Sequence, residues 1–459
     1  MSSKTVSPGA AELQGALMSV KRHFIYAGAF SAAVNLLQLV PILYMLTVYD
    51  RVMSSGSIPT LLTLTFIMVF LLIALGGFEQ VRSHILIAAS NKMEKSLRER
   101  VFNATVKNAL QGLGPKIGTQ AIQDLTALRQ FMTGNGVFAF VDAPWFFIYL
   151  FIMFQFHYLF GLSAIFAGIV MVIFAYLNEK LTNAKMKEAN NQANMNTAQM
   201  AGSLRNVEVI EAMGMSGNIR DRIEKKNENV LVIQAQASRF AGLMGAMSKT
   251  FRMVVQSLMI GLGAYLAINH EISAGSVIAG SLLLGRALAP IDMLVGTWKG
   301  FSLARAQYDR LESLLTRIPA DTKKMALPAP EGNLALEKLY VAAPGSRTPI
   351  LRGIDFNLAP GEVLGVIGPS ASGKSTLARA CLGIWLPLSG KVRLDGADLG
   401  NWTREDLGPY LGYLPQDIEL FDGTISENIA RFGELDADRI VGAAKMAGVH
   451  DLVLRQPNG

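Results

Sequence analysis

Six stretches of this chain are each long and apolar enough to cross a lipid bilayer, and they constrain the fold more than anything else in it. They are Phe24–Val48, Leu61–Phe78, Val137–Phe156, Leu159–Leu177, Phe251–Ile268 and Val277–Trp298. About 20 mostly apolar residues span the hydrocarbon core as a helix. Backbone in lipid must satisfy its own hydrogen bonds, so such stretches fold as helices and not as open strands. The composition agrees: 51% of the residues are hydrophobic and only 17% charged, whereas soluble domains carry about a quarter charged residues. Lys21, Arg22 and His23 precede the first stretch, which is far longer than the apolar region of a signal peptide and is closed by no small-residue cleavage site. It reads as a spanning helix that stays.

The net charge of +7 suits either a nucleic-acid partner or basic loops beside a membrane, and position decides between them. The connection 79–136 holds eight Lys and Arg residues and the connection 178–250 holds ten, while the other three connections hold almost none. Basic excess marks cytoplasmic loops. Both long connections and both termini are therefore expected in the cytoplasm, with no nucleic acid needed to explain the charge. Within the first long connection, Ile87, Met93, Leu97 and Val101 recur at helical spacing. The second is polar and rich in Ala, a good helix former. The spanning helices should run on as long rods, turned back near 112–115 and 214–217. The turns at 112–117 and 211–217 are equally readable as contacts for a further domain and as plain reversals.

Past Arg317 the composition changes. Pro319, Pro328, Pro330 and Gly332 mark a linker over 317–332. Beyond it, 334–341, 362–367, 391–394 and 410–414 read as strands alternating with helices. The expected organisation is a cytoplasmic segment over 1–23, a membrane all-α domain of six helices over 24–316, the linker, and an α/β domain from 333 to 459. One Cys, Cys381, excludes an internal disulfide, and the five His residues show no metal-ligand spacing. Cys381 reads as a small packing residue.

The run GPSASGKS at 368–375 fits GxxxxGK[ST] without exception. Glycines let backbone N–H groups converge on phosphates, and the helix that follows presents its positive N-terminal end. An apolar run over 363–367 reads as a buried strand before the loop, and 376–382 as a helix after it. Gly368, Ser370, Ser372, Gly373, Lys374, Ser375 and Thr376 are the expected ATP-holding set, with Lys374 on the outer phosphates and the Ser375 hydroxyl on Mg²⁺.

In order along the chain, LRGIDF (351–356), PGE (360–362), the phosphate loop, SGKVRLDG (389–396) and GYLPQD (412–417) resemble the first half of an ABC transporter ATPase domain. That resemblance implies Gln416 as a second Mg²⁺ and attacking-water contact. It also implies an aromatic residue that stacks on adenine. Tyr340 is the nearest candidate, with simple strand packing as the other reading, because Ala342 and Ala343 fall where the aromatic belongs. Six spans ahead of one such domain resemble an exporter half-transporter, which implies a homodimer with ATP held between subunits.

A narrower resemblance is to type I secretion exporters. It is carried by YMLTVYDRV (44–52), SIPTL (57–61), DAPW (142–145), RALAP (286–290), GIWLP (383–387) and FDGTI with Asn428 and Ile429. It implies an unfolded protein substrate with an uncleaved C-terminal signal, a periplasmic adaptor (membrane fusion protein), an outer-membrane channel, and a place in the bacterial inner membrane. An exporter of lipid, peptide or drug, and an ATP-binding module that does not pump, remain the alternatives. No LSGGQ signature, acidic Walker B strand or switch His follows within 459 residues. A longer chain is expected, and these residues alone should hydrolyse little ATP. Asp142, Arg286 and Asp292 lie in or at the edge of apolar spans, where a charge faces a polar translocation path or a partner, or else sits at a helix end at the membrane interface.

Overall fold

The structure is a computed structural model, and it describes residues 7–112, 120–320, 324, 327–415 and 420–456. The chain divides into two compact units. One is Met1–Thr322 with Ala343–Thr348, and the other is Lys323–Ala342 with Pro349–Gly459.

The first unit is all helix. Five helices are long and apolar enough to cross a membrane: Lys21–Ser55, Ile58–Leu110, Tyr158–Leu204, Ser216–Ile268 and Ala274–Arg317. A sixth span forms if Gly136–Asp142 and Trp145–Phe156, bent by 45° at their break, are taken together. Each of the six apolar stretches lies in one of these. Since a bilayer core takes about 20 residues of helix, the helices of 44 to 53 residues extend well beyond it, as the loop composition led us to expect. Left-handed glycines lie just past the long helix Ile58–Leu110, at Gly112, and past the short helix Val207–Ala212, at Gly214.

Two cores hold these helices. In one, Tyr149, Met153, Phe160, Met171, Met259, Leu283 and Leu284 pack where the spans meet. In the other, Met93, Leu97 and Val101 meet Leu125, Leu128, Leu311 and Leu315. Ile87 is a correction to the predicted stripe. It is 40% exposed, because the buried face runs through Leu86, Ala89, Ser90, Met93, Leu97, Val101 and Ala104. Ile87 lies about 100° round the helix from Leu86. The second core also receives Leu13 and Ala16 from a helix at Pro8–Ser19 that the sequence reading did not anticipate, and Val20 from its C-cap. Its N-cap Ser7 donates to Glu312 Oε1 at 2.7 Å, and Glu12 pairs with Arg100 at 2.8 Å.

The second unit holds a four-stranded antiparallel sheet in the order β2-β1-β3-β4. Its strands are β1 Leu334–Ala342, β2 Pro349–Leu358, β3 Ser389–Leu394 and β4 Ala397–Asp398. Leu336, Leu339, Val341, Leu351 and Val392 form its buried face and pack on Ala380, Leu377 and Cys381 of the helix Lys374–Cys381. Two expectations fail here. No strand forms over 362–367 or over 410–414, and Val363 and Ile367 are 95% and 96% exposed. A strand needs a neighbour for its N–H and C=O groups, and no described strand pairs with either run. The segment 327–333 is held to this unit through Asp395, which accepts from the backbone N–H groups of Glu331, Gly332 and Asn333 at 2.8 to 3.1 Å.

Candidate nucleotide site and a charge cluster in the membrane unit

The phosphate loop is built by backbone conformations that few side chains tolerate. Gly368 and Gly373 have φ of +156° and +99°. A Cβ on Gly373 would sit 2.8 Å from Leu351 Cδ2, and one on Gly368 would meet Ser372 Oγ at 3.0 Å. The glycines are thus required by both rotation and space. Gly373 is the N-cap of Lys374–Cys381. The first N–H groups of that helix have no intrahelical acceptor, so the loop ends on a ready anion site.

Lys374 Nζ donates to the carbonyls of Gly368 at 2.7 Å and Pro369 at 2.8 Å, which puts the ammonium at the loop itself. Ser370 and Ser372 are exposed on the loop, Ser375 is exposed beside it, and Thr376 is buried under it. The donor set fits a polyphosphate: glycine amides, a helix N-terminus, one ammonium and hydroxyls. For Mg²⁺ the described residues offer the Ser375 hydroxyl, and no cluster of three or more His, Cys, Asp or Glu among them is set to hold a metal ion. Gln416, the other expected Mg²⁺ contact, lies outside the described residues. So does most of the turn expected at 112–117.

Tyr340 is in β1 and is 39% exposed between buried Leu339 and Val341. Those neighbours face the helix Lys374–Cys381, whereas the Tyr340 hydroxyl lies over Gly353 of β2. The structure does not bring Tyr340 together with the loop. The Cys381 thiol is pushed up in pKa by burial, against a weaker opposing backbone hydrogen bond, as suits a packing residue.

Sequence reasoning missed the residue that secures the far end of this helix. Arg404 donates to the carbonyl of Leu382 at 2.7 Å and to that of Gly383. A guanidinium there satisfies C-terminal carbonyls and complements the helix dipole. No local sequence pattern signalled it.

In the membrane unit, Asp142 is paired. Arg82 Nη1 lies 3.1 Å from Asp142 Oδ2, Asn35 Nδ2 donates to Oδ1 at 2.9 Å, and Ser31 Oγ also donates to Oδ1. Tyr149 in turn donates to the Asn35 carbonyl and side chain at 3.0 Å, and the Arg82 guanidinium stands 4.1 Å over the Phe138 ring. Arg82 was legible only as one basic residue of a connection. Asp292 pairs with Arg252 at 3.3 Å and accepts from Ser248 at 3.1 Å. Arg286 is exposed and makes no ion pair among the described residues.

Residues 24–289 match the ABC transporter transmembrane region, and residues 351–457 match the ABC transporter family itself. The chain belongs to the ABC transporter family. As an ABC transporter it is 41% identical over 450 residues to the type I secretion system ATP-binding protein PrsD of Rhizobium meliloti (strain 1021), covering 98% of this chain and 77% of that protein. It is 25% identical to the leukotoxin export ATP-binding protein LtxB of Aggregatibacter actinomycetemcomitans, over 95% of this chain and 63% of that one. The fold of this transporter follows a bacterial Atm1-family ABC exporter solved with ATP bound. The TM-score is 0.76 at 20% identity, over 96% of this chain and 79% of the other. It is a multi-pass membrane protein with an ATP-binding domain.

Proposed function

We propose that this ABC transporter is the ATP-driven component of a type I secretion system and exports an unfolded polypeptide of the RTX-protease kind. The observation that carries this reading is the match along 98% of the chain to a type I secretion ATP-binding protein. It works as a homodimer in the bacterial inner membrane, with both termini and both long basic connections in the cytoplasm, beside a periplasmic adaptor and an outer-membrane channel.

In this reading the loop 368–373 and the amides opening the helix Lys374–Cys381 hold the ATP phosphates. Lys374 exchanges two loop carbonyls for phosphate oxygens, and Ser375 and Gln416 hold Mg²⁺, which supplies charge neutralisation when bound. ATP drives transport only by binding one arrangement of the dimer better than another.

The test joins nucleotide to cargo. Co-expressed with the candidate adaptor and outer-membrane channel, the transporter should release a protein bearing a C-terminal secretion signal into the medium, and Lys374→Ala should abolish release while leaving the chain in the membrane. Transport of lipid or drug by reconstituted transporter without an adaptor, and no protein release, would overturn it.

A further inference from the structure

The run YMLTVYDRV (44–52) has no part in the nucleotide site, yet it joins the first spanning helix to the last. At Val48–Val52 the helix Lys21–Ser55 widens into one π-helical turn, a distortion met frequently at functional sites. That turn carries Asp50. Its Oδ2 accepts from the Ser273 hydroxyl at 2.6 Å, and its Oδ1 accepts from the Gly275 N–H at 2.8 Å. A Cβ on Gly275 would fall 2.6 Å from Asp50 Oδ1 and 2.8 Å from the Leu46 carbonyl oxygen, so the close approach of the carboxylate depends on glycine there.

Capping alone does not call for this carboxylate. Ser273 is already the N-cap of the helix Ala274–Arg317 and accepts from the Ser276 N–H at 3.2 Å. Asp50 stands 225 positions before Gly275 and takes a further amide at the positive end of the helix dipole. Among the described residues no other hydrogen bond or ion pair joins Lys21–Ser55 to the first turn of Ala274–Arg317. Asp50 follows the first apolar stretch and residues 273–275 precede the last, in two connections almost free of Lys and Arg. The topology proposed above therefore puts the contact outside the cytoplasm.

From that contact Ala274–Arg317 runs as one helix of 44 residues, about 66 Å long at 1.5 Å each. Its chain then continues into the linker that precedes the ATP-binding unit. A helix carries displacement from one end to the other, bending here at Pro290 at most. Movement started by ATP thus arrives at the end that Asp50 holds. A half-buried carboxylate with two hydrogen bonds suits a contact that is made and broken, because water can replace both.

We infer that Asp50 is a positioning residue that latches the extracytoplasmic end of Ala274–Arg317 to the first span, and that ATP-driven opening toward that side releases the latch. This rests on the transport reading and the topology proposed above, to which it adds a role for the 44–52 motif.

The test is thiol accessibility at Ile278, half-buried about one turn beyond Gly275, in the full chain purified into lipid nanodiscs. Ile278→Cys is combined with Cys381→Ala, which leaves a single thiol. Its reaction with a polar maleimide is followed with Mg²⁺ alone and with Mg²⁺ and a non-hydrolysable ATP analogue. With the latch intact, the analogue should speed labelling several-fold. Asp50→Ala and Gly275→Ala break the latch from its two sides. Both should label about tenfold faster without nucleotide and respond to the analogue by less than about twofold. Ser273→Ala leaves the Gly275 bond and should fall between, and it carries the test if the other two do not fold. Glu271→Ala removes the 3.0 Å contact with His157 at the same end and should keep the full response. A nucleotide-free rate unchanged in the latch variants that fold overturns the inference. So does an equal rise with and without the analogue, which is general loosening, and so does a loss of response in Glu271→Ala as large as in Asp50→Ala. No response with the latch intact, alongside analogue binding that Lys374→Ala abolishes, overturns the inference and leaves the ATP site standing. The expected labelling pattern in a chain that releases no protein with its adaptor and channel supports the latch and removes the cargo reading.

Discussion

Asp142→Ala tests the buried charge cluster of the membrane unit most directly. The side chains of Arg82 and Asp142 are 10% and 16% exposed, so the pair is shielded from water. Removing the carboxylate leaves Arg82 with Ser31 Oγ, 2.8 Å away, and the Phe138 ring as its remaining partners, and it strips Asn35 Nδ2 of one acceptor. Breaking a buried pair from one side costs about 3–5 kcal/mol. The apparent penalty for one central charge in a spanning helix, about 2.5–3.5 kcal/mol, is of the same size. We therefore expect Asp142→Ala to lose about 3 kcal/mol, roughly a hundredfold in the folded-to-unfolded ratio. The double replacement Arg82→Met with Asp142→Leu should recover most of that, because no orphan charge remains. The assay is reversible unfolding in mixed detergent micelles for the two single variants and the double one, read as a double-mutant cycle. A single-variant loss under about 1 kcal/mol, or a coupling near zero, would refute the argument. Loss of export in Asp142→Asn at unchanged stability would instead give Asp142 to the transport path.

Three further outcomes follow from the ATP-binding unit. Cys381 should react slowly with iodoacetamide at pH 8, since burial holds its thiol above its ordinary range, and denaturant should restore the rate of a free thiol. For Asp395, burial raises the pKa, but three backbone N–H bonds from Asn333, Gly332 and Glu331 together outweigh it and hold the carboxyl below its usual value. Its stabilising effect is then complete above the unfolded carboxylate pKa and lost as pH falls through the folded one. The difference in melting temperature between wild type and Asp395→Asn should accordingly shrink as the solution is acidified below about pH 4. Arg404→Ala should loosen the C-terminal turn of Lys374–Cys381 by about 1 kcal/mol, seen as roughly fivefold faster amide exchange there with the global melt little changed.

The membrane unit was the more legible of the two because lipid leaves a sequence few choices. Each apolar stretch became a span or part of one, and the helical spacing of Met93, Leu97 and Val101 proved to be a buried stripe. Ile87 was misplaced because a one-residue shift rotates a helix face by about 100°. The phosphate loop was readable in full, since its glycines answer to backbone geometry that only they adopt easily. What escaped the reading was pairing at long range: Arg82 with Asp142, sixty positions apart, and Arg431 with Gly408 and Leu411. Neither partner is marked by local pattern. The runs at 362–367 and 410–414 had strand composition, but composition supplies no neighbouring strand. β2 was passed over although Ile354, Phe356 and Leu358 alternate with more exposed residues, a period-two signal obscured by Gly353.

The length of the spanning helices has a mechanical consequence. The 53 residues of Ile58–Leu110 rise about 80 Å at 1.5 Å each, so the helix is a lever much longer than the bilayer is thick. Pivoting one end by about 5° sweeps the other through about 7 Å, provided the rod stays stiff. Gly76 and Gly77 are the adjacent glycines in that rod, and each weakens a helix interior by about 1 kcal/mol relative to Ala. They lie toward its more apolar end, with about 30 residues of uninterrupted non-glycine helix beyond them. Movement at the pivot can thus flex at this pair while the long arm past it travels as one piece.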